Sequence, residues 1–213
     1  MDLANLSFLI FLYIPSSDSE ANRKSERKTN NRMKLAFDLI LLLLILFVFQ
    51  VSSSGSDLIP ESCRNASKDD PNINYGFCVS SLEAISQNPP SRLEELVDMS
   101  VQITKSNATN IVSTISSLLK DPEFSDYAKK CLQDCSELYS DSVLDLDDAI
   151  GALKSKDFNS ASTKISAEMS SSSTCEDQFK DGNETSPLTE DNNTYFELNA
   201  MSLAFIQMQK QRS

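Results

Sequence analysis

Residues 122–154 read PEFSDYAKKCLQDCSELYSDSVLDLDDAIGALK. Ala128, Leu132, Cys135, Tyr139, Ser142, Leu146, Ala149, Ile150 and Leu153 recur at steps of three and four. That repeat lines one face of an α-helix. Asp141, Asp145 and Asp148 fall on the opposite, solvated side. The spacing predicts one long helix, with Pro122 at or near its first position, where a missing N–H costs nothing. Cys135 lies on the inner stripe, so this face carries a group that can be cross-linked.

The same period extends to both sides. Leu93, Leu96, Val97, Val101, Thr104, Ala108, Ile111, Ile115, Leu118 and Leu119 form an apolar face on a preceding helix. Ser91 is its expected N-cap, with Glu94 completing a capping box. After the tight connection Ser155-Lys156-Asp157-Phe158, a third helix turns Phe158, Ala161, Ile165, Met169, Ser172, Cys175 and Phe179 inward. Residues 181–191 are polar and turn-rich. A fourth helix, residues 194–211, carries Tyr195, Leu198, Met201, Phe205 and Met208 on one stripe. Upstream, residues 57–66 and 75–86 read as two short helices around the turn Asp69-Asp70-Pro71-Asn72. Alternating strand patterns are absent from this region. The expected fold is therefore all-α: an antiparallel up-and-down four-helix bundle (residues 91–211) preceded by an N-terminal helical hairpin (residues 57–88).

Residues 39–51 are almost wholly apolar, follow Met33-Lys34, and precede Ser52, Ser53, Ser54 and Gly55. This is the pattern of a cleaved signal peptide, over residues 33–54. It is short of the roughly 20 residues that span a bilayer comfortably. Residues 1–32 are read as an upstream extension that takes no part in the fold. The expected domain, residues 55–213, holds 26 Asp plus Glu against 13 Lys plus Arg, a net charge of −13. Such a surface repels nucleic-acid phosphate and anionic membranes.

A secreted chain can keep disulfides. Cys63 and Cys78 would tie the hairpin by a loop of about 15 residues, worth roughly 3 kcal/mol in the chain-entropy model. Cys135 and Cys175 would close about 40 residues, worth roughly 4 kcal/mol. Cys131, one turn before Cys135, competes for Cys175; the central stripe favours Cys135. Cys131 is then a free, partly buried thiol, or alternatively a dimer bridge. Asn65, Asn107, Asn183 and Asn192 open Asn-x-Ser/Thr sequons and are candidate glycosylation sites. Asn183 and Asn192, in the polar segment, are expected to be the most accessible.

The chain has no histidine, so a Ser/His/Asp set is excluded, and its four glycines form no phosphate loop. The cysteine spacings match no zinc knuckle. The pairs Glu94-Glu95 and Asp147-Asp148 are adjacent on helices, whereas a glycosidase pair converges across a sugar. An enzyme, a metal site and a cofactor are not expected; a rigid binding protein is. A structural or signalling module and a small-molecule carrier using the bundle core are the rival classes.

Asn74-Tyr75-x-Phe77-Cys78, Cys135-x-x-x-Tyr139, Ala149, Leu153, Phe158 and Thr174-Cys175-Glu176-Asp177-x-Phe179 together resemble the plant invertase and pectin methylesterase inhibitor family. Asn74 to Leu82, Ser155-Lys156-Asp157-Phe158 and Ser186-Pro187-Leu188-Thr189 are similar to its invertase-inhibitor subgroup, which includes a plane-tree pollen allergen. The resemblance implies a hairpin plus four-helix bundle, with one disulfide in the hairpin and another joining the second and third bundle helices. It implies a stoichiometric protein complex with an acid invertase or with pectin methylesterase, in the cell wall or the vacuole. In the invertase branch a Pro-Lys-Phe motif between those two helices enters the enzyme's sugar pocket. Here Lys156 and Phe158 occupy that place as candidate target-binding residues, but the Pro is missing and Asp157 intervenes. In the esterase branch the bundle helices form the interface, for which the face with Asp141, Asp145 and Asp148 is available.

Overall fold

The computed structural model describes residues 58–86 and 88–212, together with Ile40. The expectations for residues 1–32 and 33–54 lie outside these. The described residues 58–212 belong to one compact unit, Ser53–Ser213. They form six helices and, among the described residues, no strand. These are α1 (Leu58–Asp69), α2 (Tyr75–Ile85), α3 (Leu93–Leu118), α4 (Asp126–Lys154), α5 (Phe158–Asp181) and α6 (Thr189–Arg212).

The last four close into a ring. Each packs on the next in sequence, and α6 returns to α3. Short links between long amphipathic helices leave antiparallel neighbours as the geometry that buries every apolar stripe. The α1–α2 hairpin rests on this ring, α1 against α6 and α2 against α3. Its own core is small, built on Ile59, Cys63, Ala66, Ile73, Cys78 and Leu82. The Cys63–Cys78 disulfide crosses it, with the two Cα atoms 5.7 Å apart. One further tie is polar: Glu197 of α6 accepts the Asn74 backbone N–H at 2.6 Å, beside the start of α2.

Inside the ring, the Tyr139 and Tyr195 rings meet edge to face, centroids 5.1 Å apart. Edge-to-face packing sets the positive ring edge against a negative face. The Cys135–Cys175 disulfide joins α4 to α5 nearby. Burial pushes both phenols above their ordinary value, so they stay neutral.

Three helix ends differ from the sequence expectation. Helix α3 starts at Leu93, with Arg92 in the N-cap position and no side-chain cap. Glu95, not Glu94, reaches back and accepts the Ser91 N–H at 2.8 Å and its hydroxyl at 3.1 Å. Helix α4 starts at Asp126 rather than Pro122. Asp121 accepts the Glu123 N–H, turning the chain at Pro122, and the Ser125 hydroxyl accepts the Ala128 N–H as the true cap. Helix α6 starts at Thr189, inside the segment expected to be a loop. Its first turns are polar because they bond to neighbouring helices: Thr189 donates to one Glu176 oxygen and Asn192 to the other, each at 2.7 Å.

Candidate target-binding end of the bundle

The link between α4 and α5 is three residues long and capped from both sides. The Lys156 N–H bonds to the Leu153 carbonyl at 2.9 Å and the Asp157 N–H to the Ala152 carbonyl at 2.8 Å. This pair of bonds is a Schellman motif, which requires a left-handed residue after the helix. That residue is Lys156, at φ 61°. Glycine takes this conformation freely; a side chain costs about 1–2 kcal/mol there. Asp157 then caps α5, accepting the Ser160 N–H at 3.0 Å and its hydroxyl at 2.7 Å. These bonds hold the Asp157 carboxyl below its ordinary value. The aspartate between Lys156 and Phe158 is thus a helix cap.

The link projects one cation. The Lys156 side chain is 75% exposed, and its ammonium sits 3.9 Å from Glu94, a loose ion pair on the surface. Such pairs contribute little, about 0–1 kcal/mol. Phe158 is half-buried and packs against the core. Behind the link lies an open cleft of about 410 Å³. Its apolar surface comes from Val97, Leu153 and Phe158, and its charged rim from Arg92, Glu94, Asp98, Lys154 and Lys156, with Glu95 beside them. The bonds from the Ser91 N–H and the Arg92 guanidinium lower the Glu95 pKa, so this rim carries both signs at mildly acidic pH.

The other predicted site residues lie elsewhere. Cys131 is buried and free, and burial raises its thiol pKa. Of the acids on α4, Asp141 is exposed, but Lys164 of α5 bonds both Asp145 and Asp148 at 2.8 Å. The expected solvated acidic face is therefore partly neutralised. Asn65 and Asn183 are exposed, and Asn107 is half-buried with its carbonyl oxygen enclosed. Asn192 is not in an accessible loop; it is 3% exposed on α6. It accepts the Tyr139 hydroxyl at 2.6 Å and donates to Glu176.

The sequence reading passed over Glu168, which is 6% exposed on α5. It accepts the Ser171 hydroxyl at 3.3 Å and lies beside Asp145. Burial first, and Asp145 second, push its pKa up despite the bonds from Ser142 and Ser171. Its position continues the stripe of Ala161, Ile165, Ser172 and Cys175 at steps of three and four, so phase alone could have found it.

The molecule is a disulfide-stapled helical bundle whose α4–α5 link carries an exposed cation beside an open cleft. Over residues 57–205 the sequence matches the family described as plant invertase/pectin methylesterase inhibitor, and the chain belongs to that family of inhibitor proteins. It is 35% identical, over 180 residues, to a Platanus acerifolia protein named "Putative invertase inhibitor", covering 83% of this chain and 98% of that one. To Arabidopsis thaliana "Pectinesterase inhibitor 12" it is 34% identical over 177 residues, covering 83% and 99%. A crystal structure of a mutant pectin methylesterase inhibitor from Arabidopsis shares the fold, with a TM-score of 0.56 at 22% identity, covering 64% of this chain and 90% of that one.

Proposed function

We propose that this protein is a secreted inhibitor that blocks a plant acid invertase (a β-fructofuranosidase) by forming a stoichiometric complex with it. Lys156 and Phe158 make the central contact. The observation that carries this reading is Lys156 itself. It holds a left-handed position that glycine would fill at lower cost, and its ammonium extends into solvent. Strained backbone of this kind clusters at functional sites. A cation suits the carboxylates of a glycosidase site, and an aromatic edge suits a sugar subsite. Similarity to the Platanus protein supports the same choice. The complex forms in the cell wall space, or alternatively in the vacuole.

Pectin methylesterase is the second reading, favoured by the Arabidopsis relative's name. There the outer faces of the bundle would serve; of Asp141, Asp145 and Asp148, Asp141 is the one not paired with Lys164. Size-exclusion chromatography of the purified chain mixed with each enzyme tests the proposal. Co-elution with acid invertase, lost in Lys156→Ala, is expected. Co-elution with the esterase alone would reverse the assignment.

A further inference from the structure

We infer that Asn183 is an N-glycan acceptor of this protein and that Asn192, nine residues on with the same motif, is not. This rests on the reading that the chain is secreted. The motifs are Asn183-Glu184-Thr185 and Asn192-Asn193-Thr194, and sequence alone does not separate them.

Their surroundings do. Asn183 follows α5 in the link to α6, at φ 55° and exposed. Its N–H bonds to the Lys180 carbonyl and the Glu184 N–H to the Phe179 carbonyl, each at 2.9 Å. These are the backbone bonds of a second Schellman motif, with asparagine at the left-handed position it tolerates. The backbone alone does this work. Neither bond uses the Asn183 carboxamide, which is open to a bulky surface group.

Asn192 has both ends of its carboxamide committed. Its oxygen accepts the buried Tyr139 hydroxyl at 2.6 Å, and its nitrogen donates to Glu176 at 2.7 Å and faces Cys175 Sγ at 3.8 Å. A sugar on that nitrogen would displace Glu176 and open the α4–α5–α6 junction beside the Cys135–Cys175 disulfide. The loss of a hydrogen-bonded, buried polar cluster is costly. A chain glycosylated there could not close this fold.

The transfer itself needs a lipid-pyrophosphate-linked oligosaccharide as donor. A bond forms between Asn183 Nδ2 and the anomeric carbon of the first sugar. The sugar–phosphate bond breaks, the lipid pyrophosphate leaves with the electron pair, and Nδ2 loses one proton. The glycan then stands at the far end of α5 from the α4–α5 link, roughly 36 Å away at 1.5 Å per residue over the 24 residues of α5.

The test removes each motif without touching either asparagine. The full chain, Thr185→Ala and Thr194→Ala are secreted from plant cells and weighed intact, before and after enzymatic deglycosylation. Thr185→Ala should lose the mass of one glycan, and Thr194→Ala should match the parent. Peptide mapping should show Asn183 converted to Asp by the amidase and Asn192 unconverted. No mass change in Thr185→Ala, or loss of a glycan in Thr194→Ala, would overturn the inference. Size-exclusion binding to invertase is scored separately, so failure of the inhibitor reading leaves a different signature.

Discussion

Lys156 and Glu168 each carry a cost to the fold that asks for an explanation, and each gives a prediction. Replacing Lys156 with glycine removes the side chain and the left-handed strain together. Lys156→Gly should be as stable as the parent or more so, by up to about 1 kcal/mol, in chemical denaturation. It should nevertheless inhibit invertase about tenfold less well. A residue kept only for folding would not show stability and activity moving in opposite directions. Glu168 faces Ser142 and Asp145 of α4, Ser171 on its own helix, and Tyr195 of α6. Its folded pKa is raised, so the stability it contributes is present below the ordinary glutamate value of 4.5 and lost as pH rises through the folded value. Asp145, bonded by Lys164, has its pKa lowered and works the other way, losing its contribution only as pH falls below 3.8. Glu168→Gln should therefore match the parent near pH 4 and exceed it at pH 7, read from melting temperatures across that range. Equal melting curves at both pH values would place the Glu168 carboxyl in water rather than in the core.

At the level of elements, the repeat of each inner stripe locates the four bundle helices, and the turn signal Asp69-Asp70-Pro71-Asn72 separates the two helices of the hairpin. Their ends were less legible, for a definite reason. Proline and polar runs suggest boundaries, whereas the real ends are set by which side chain reaches which N–H. Pro122 lies in a turn closed by Asp121, and Ser125 makes the cap. Ser125→Ala should cost about 1 kcal/mol, the usual price of an N-cap, while Pro122→Ala should stay within about 0.5 kcal/mol. The reverse order would move the start of α4 back to Pro122. The first turns of α6 were missed because Thr189 and Asn192 look like loop residues in one dimension. Their partners, Glu176 and Tyr139, lie on other helices and are visible only in three. Glu168 was missed because its charge argued for solvent while its phase argued for the core. The Lys156–Phe158 link stands out by resemblance, and Asp157 directly before a helix is a cap signal that the sequence carries; that Lys156 is left-handed shows only in the backbone geometry.

For the whole molecule, the ring of α3 to α6 and its hairpin form a frame, with the only strained cation of the described residues at one end and an exposed sequon asparagine at the other. The family description and the relatives' names include both enzymes, so membership alone does not choose the target. The choice rests on the link. The most direct measurement is a titration of purified acid invertase and of pectin methylesterase with this protein, following residual activity at enzyme concentrations well above the dissociation constant. Invertase activity should fall linearly to an end point at one equivalent, with the esterase unaffected and the Lys156→Ala titration displaced to higher concentration. Linear loss of esterase activity with invertase untouched, or no loss of either, would contradict the account.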